Sequence, residues 1–104
     1  MKLERLKEAK ALLRRTIPVA RRVLRDSNNT TLRMRSNYAK ALYKDDASTL
    51  DDLRKAVTML EETAPTARRV LGSAHPLVMS IERSLRDARV ALRARETPSP
   101  GSNS

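Results

Sequence analysis

Several things this sequence lacks narrow its chemistry. It has no cysteine, so disulfide scaffolds and thiolate-held zinc or iron–sulfur centres are excluded. A single histidine, His75, excludes a multi-histidine metal site and cysteine–histidine nucleophilic chemistry within one chain. Tryptophan and phenylalanine are missing, and Tyr38 and Tyr43 are the only aromatics, too few for a base-stacking platform. Two glycines cannot build a phosphate-cradling loop, and no serine stands in a nucleophile elbow. No run of 18 apolar residues exists to span a bilayer. The lack of cysteine fits a reducing, cytoplasmic compartment. These absences point away from an enzyme and from any cofactor or metal.

What remains is helix-forming composition: 104 residues rich in Ala, Leu, Arg and Lys, with a net charge of +10. One small domain is expected, with a thin core of Leu, Val, Ala and Met.

Shifted by 47 residues, the sequence matches itself. Leu3 falls on Leu50, Leu6 on Leu53, Ala9 on Ala56, Leu13 on Leu60, Thr16 on Thr63 and Pro18 on Pro65. The block Ala20-Arg21-Arg22-Val23-Leu24 recurs unbroken as Ala67-Arg68-Arg69-Val70-Leu71. Duplicated segments share a structural task, which argues against a unique catalytic site.

Each duplicate carries an amphipathic stripe. Leu3, Leu6, Ala9, Leu13, Ile17, Ala20 and Leu24 step by three or four residues, as do Leu50, Leu53, Val57, Leu60, Ala64, Ala67 and Leu71. Pro18 and Pro65 sit at matching points, where each either kinks its helix or divides it. Thr16 and Thr63 are candidates to cap a restarted helix. Four helices are predicted, at about 2–25, 30–44, 49–71 and 76–95. Inward residues expected of the second are Leu32, Ala39, Leu42 and Tyr43, and of the fourth Val78, Ile81, Leu85, Ala88 and Leu92. Ser48 or Thr49 caps the third helix, Gly72 ends it, and Pro76 opens the fourth. Residues 96–104 read as a disordered tail. Short connections imply antiparallel neighbours, hence an all-α fold: helical hairpins of an α-solenoid fragment, or a small four-helix bundle.

The string Val70-Leu71-Gly72-Ser73-Ala74-His75-Pro76 resembles the junction between tetratricopeptide repeats of the kinesin light chain type. Leu32, Ser36, Asn37, Tyr38 and Ala39 resemble the first-helix pattern of that family, with Ser36 and Tyr38 as departures. The similarity covers residues 3–95, with a period longer than the family's usual one. The first junction, Leu24-Arg25-Asp26-Ser27-Asn28-Asn29, has neither Gly nor His-Pro. The resemblance implies a right-handed tetratricopeptide-like solenoid and a scaffold or adaptor that holds peptide segments on a concave face. One complete repeat flanked by two halves is short for a solenoid, so a longer array or self-association through exposed helix faces is expected. Residues carried to the concave face are Arg33, Asn37, Lys40, Ser80, Ser84 and Asp87. Among them Asn37 is suited to bond a peptide backbone as donor and acceptor.

Charge is uneven: residues 1–25 carry +7 and residues 45–64 carry −4. The arginine pairs 14–15, 21–22 and 68–69 suit an acidic peptide. With less support, they suit a nucleic-acid backbone contacted without base readout. The basic first helix also has the look of a targeting presequence, but its recurrence inside the chain argues against removal. Asp45, Asp46, Asp51, Asp52, Glu61 and Glu62 cluster in the acidic stretch. Turn and helix-start positions account for the aspartates without a metal, and His75 reads as a turn residue.

Overall fold

The computed structural model describes residues 2–25 and 27–96, with side chains from Arg5 onward. The four helices are α1 (Lys2–Leu24), α2 (Asn29–Lys44), α3 (Leu50–Leu71) and α4 (Pro76–Glu96). Their ends fall within one residue of those read from periodicity. Glu96 belongs to α4, while residues 97–104, read as a tail, lie outside the described residues, as does the side chain of Leu3.

Consecutive helices pack in sequence, and the one contact that skips a helix is α2 on α4. Among the described residues α1 touches neither α3 nor α4. The chain is therefore an open slab of 50 × 31 × 21 Å rather than a ring of four helices closed on itself. Burial follows from this order. On α3, between α2 and α4, Leu53, Ala56, Val57, Leu60, Ala64 and Ala67 are all buried. On α1, with one neighbour, only Ile17 and Ala20 are buried, and Leu24 is left 38% exposed.

Both internal prolines lie within unbroken helices. The expectation that Thr16 and Thr63 cap restarted helices is corrected accordingly. Each instead donates its hydroxyl to the carbonyl four residues back, Thr16 to Leu12 at 2.7 Å and Thr63 to Met59 at 2.6 Å. This is how a threonine behaves inside a helix, and it favours a slight bend. Pro18 and Pro65 are exposed, so the carbonyls of Arg14 and Glu61, which lose their helical donors to the rings, can turn to water.

The junctions repeat as faithfully as the helices. Arg25 N–H donates to Arg21 O (3.1 Å) as Gly72 N–H does to Arg68 O (2.9 Å). Asn28 N–H donates to Arg25 O (3.3 Å) as His75 N–H does to Gly72 O (3.1 Å). Asn28 then caps α2, its Oδ1 accepting from Thr30 N–H at 2.8 Å. Its equivalent His75 caps α4 through Nδ1, which accepts from Leu77 N–H at 3.0 Å. So the first junction makes the second's turn without its Gly-x-x-His-Pro residues. The cost falls on Arg25, which adopts φ +73°, where its equivalent Gly72 adopts +91°. A side chain in this left-handed region costs about 1–2 kcal/mol, which glycine avoids. Between Ser48 and Thr49, Thr49 is the cap. It forms a reciprocal box with Asp52, while the Ser48 hydroxyl donates to Leu42 O.

Two stability predictions follow. Arg25→Gly should raise stability by about 1 kcal/mol by relieving the left-handed backbone, and Gly72→Ala should lower it comparably. Opposite signs in urea titrations would contradict the equivalence of the two turns. Pro65→Ala should raise stability by about 2 kcal/mol, because it restores a helical hydrogen bond in an exposed turn of a continuous helix. A lower unfolding midpoint would mean that the bend itself seats α3 between its neighbours.

Candidate functional site

Five of the six residues proposed for the peptide face lie at least partly open. Arg33 and Asn37 project from the exposed side of α2, and Asp87 from α4. Lys40 and Ser80, half-buried, meet across the α2–α4 contact, where Lys40 Nζ donates to Ser80 Oγ at 3.0 Å. That bond makes the outer side of α2 and the near edge of α4 one continuous polar surface. Ser84 is a correction: it is 2% exposed, inside the packing rather than on the face. Its equivalent one period earlier is Asn37, which is exposed. The difference arises because α2 lies against the side of α4 that bears Ser80 and Ser84, whereas among the described residues no helix covers Asn37 on the equivalent side of α2.

Between α1 and α2 lies a groove of about 470 Å³. Its floor is apolar, from Leu6, Ala9, Leu12 and Leu13 of α1 with Ala41 of α2, and its rim carries Asn37, Lys40 and Lys44. The sequence pointed to Asn37 and Lys40 but not to the floor, of which Leu6, Ala9 and Leu13 read as ordinary core and Leu12 and Ala41 drew no reading. An apolar trough edged by an amide and two ammonium groups suits a short segment with aliphatic side chains and carboxylates. A second cleft of about 330 Å³, beside Tyr38, is lined by Asp51, Arg54, Lys55 and Glu62. Its charges are mixed, and it offers no comparable floor.

The groove is braced at one end by Lys10 and Asp45. Lys10 Nζ lies 2.7 Å from Asp45 Oδ2, and Asp45 is 4% exposed. Its other carboxylate oxygen, Oδ1, accepts from Ala47 N–H at 2.9 Å. The Lys10 hydrogen bond, then the Ala47 amide, hold the Asp45 carboxyl below the ordinary aspartate range, against the opposing effect of burial. Three of the five other carboxylates of the acidic stretch have structural partners. Asp52 caps α3, Glu61 pairs with Arg89 of α4, and Glu62 pairs with Arg35 of α2. Among the described residues no three metal-ligating side chains converge. No described helix is long and apolar enough to cross a membrane.

Sequence reasoning missed three polar residues drawn inward on α2. Thr31, Arg35 and Ser36 are buried, and Thr31 Oγ1, Ser36 Oγ and Arg35 Nε lack hydrogen-bond partners. Arg35 reaches the surface at its tip, where Nη2 meets Glu62 Oε1 at 3.0 Å.

Comparison of the chain with protein-family models, curated proteins and solved structures gives no match in any of the three.

Because the folded-state pKa of Asp45 is depressed, its contribution to stability is complete above the unfolded value of about 3.9. That contribution is lost as pH falls through the lower folded value. Asp45→Asn should therefore lower the urea midpoint at pH 7 and make it fall less steeply below pH 4. Parallel pH profiles for the two proteins would show that the Lys10–Asp45 pair does not stabilise the fold.

Proposed function

We propose that the chain is a non-catalytic protein–protein interaction module, a short tetratricopeptide-like array similar to the kinesin light chain type. In this reading it is a cytoplasmic scaffold or adaptor that holds a peptide segment along the exposed side of α2. The observation that carries the reading is the groove between α1 and α2, with its aliphatic floor and its rim of Asn37, Lys40 and Lys44. Two further features support it. The helices stack in sequence without closing, as a solenoid does, whereas a four-helix bundle would bring α1 against α4. The Lys40–Ser80 bond extends the polar rim from α2 to α4, which lengthens the surface on which a peptide can lie.

The ligand this chemistry favours is a segment with alternating or helically spaced aliphatic residues and nearby carboxylates. Its side chains would fill the trough while Asn37 bonds its backbone. Selection of random displayed peptides on the full chain should enrich Leu, Ile or Val next to Asp or Glu. Asn37→Ala combined with Lys44→Glu should weaken the selected peptides about tenfold, a loss of about 1.4 kcal/mol. Lack of enrichment, or enrichment blind to these changes, would refute the groove. Steeply salt-dependent binding of arbitrary duplex or RNA, with no peptide bound, would instead favour a backbone-level nucleic-acid contact.

A further inference from the structure

The groove between α1 and α2 has a counterpart one period later, between α3 and α4, and there it is filled. Shifted by 47 residues, Leu6, Ala9, Leu13 and Asn37 of the groove become Leu53, Ala56, Leu60 and Ser84, all buried. The body that closes this second cleft is α2, which packs on α3 and α4 together. Three contacts mark its seat. Arg35 pairs with Glu62 of α3, Tyr38 lies beside Met59 of α3, and Lys40 donates to Ser80 of α4.

The helix that corresponds to α2 one period later is α4. Among the described residues α4 has only α3 and α2 as neighbours. Met79, at the position of fully buried Leu32, is consequently 54% exposed. Six of the seven large hydrophobic side chains exposed among the described residues belong to α1 or α4, so apolar surface is left open at both ends of the stack. Each end lacks what the other has: α1 and α2 present an empty groove, and α4 is the equivalent of the helix that fills one.

Seating α4 of one copy in the groove of the next, as α2 sits in its cleft, replaces each of the three contacts by its equivalent. Arg35 on Glu62 becomes Glu82 on Arg15, with both signs exchanged. Tyr38 beside Met59 becomes Leu85 beside Leu12, which stays apolar. Lys40 on Ser80 becomes Asp87 on Arg33, both exposed in the single chain. Both polar contacts thus turn into pairs of opposite charge. The antiparallel register of α2 on α3 also sets Leu42 opposite Lys55, and its equivalent sets Arg89 opposite Glu8. Glu82 meets Arg68 of its own chain through Oε2, and its carboxylate has a second oxygen for Arg15.

We infer that copies of this chain stack head to tail, α4 of one seated in the α1–α2 groove of the next. This rests on the groove being a trough for an aliphatic segment with carboxylates, and it names the occupant: α4, with Leu85, Glu82 and Asp87. The two surfaces differ, so the contact is heterologous and repeats from copy to copy instead of ending at a dimer. Arg86 stands where α2 has buried Ala39, so the joint between copies packs less closely than the one within the chain and is weaker.

In sedimentation of the full chain from about 1 to about 500 µM, the mass should rise past that of a dimer. Asp87→Arg should weaken association about tenfold, and Arg33→Asp likewise, each with unchanged circular dichroism. Mixing these two variants should restore association, because every joint between unlike copies again carries opposite signs. Arg15→Glu, set against Glu82, should weaken it independently. A peptide selected on the groove should disperse the assemblies. A chain that stays monomeric throughout overturns the inference whether or not it binds peptides, and peptide binding by such a monomer leaves the groove reading standing. Association that stops at a dimer, ignores these charge reversals or is not rescued by mixing also overturns it. Stacking that obeys the reversals and the rescue, with no foreign peptide enriched, supports the inference and refutes an external ligand.

Discussion

A helix with an apolar stripe gains little in water until a neighbour covers that stripe, since burial rather than propensity supplies most helical stability in a protein. α3 meets this condition on two sides, and the rest of the fold is arranged around it. α2 lies on the side marked by Met59 and Glu62, and α4 on the side marked by Glu61 and Arg68. Leu60, Ala56 and Ala67 between them are fully excluded from solvent. α1 leans on α2 from the far side, and the stack is consequently graded, from a core helix at α3 to a surface helix at α1. Charge follows the same grading. The three ion pairs between α3 and α4 and the one between α2 and α3 stitch the inner helices, while the arginines of α1 are exposed.

Much of this was legible in the amino-acid order because duplication and periodicity are statements about burial. The spacing of Leu53, Val57, Leu60 and Ala64 defines a helix with one buried side, and the structure has it. Less legible was anything that depends on how many neighbours a helix has. Thr31, Arg35 and Ser36 look like surface residues of an amphipathic α2, yet contacts with three other helices bury them. Ser84 and Asn37 occupy equivalent positions and end in opposite environments, because α2 covers that side of α4 while no described helix covers the matching side of α2. Backbone conformation was hidden too. Nothing in the side chain of Arg25 announces a positive φ, and only its alignment with Gly72 explains it. Proline was ambiguous because its effect depends on solvent access to the carbonyls it deprives of a donor, which sequence does not specify.

The candidate site shows the same division. Asn37 and Lys40 were readable as polar steps on an exposed helix side. The trough beneath them was not, because it forms only where α1 and α2 come together and belongs to no motif.

The one-sided anchorage of α1 has a thermodynamic consequence of its own. This helix is held by one neighbour and by the Lys10–Asp45 pair, and it joins the remainder through the strained residue Arg25. Opening it exposes far less apolar surface than unfolding α3, so it forms the least protected unit of the molecule toward amide hydrogen exchange. Any body that settles against α1 therefore suppresses its fraying as well as gaining contacts. Occupancy and local order become two readings of a single equilibrium.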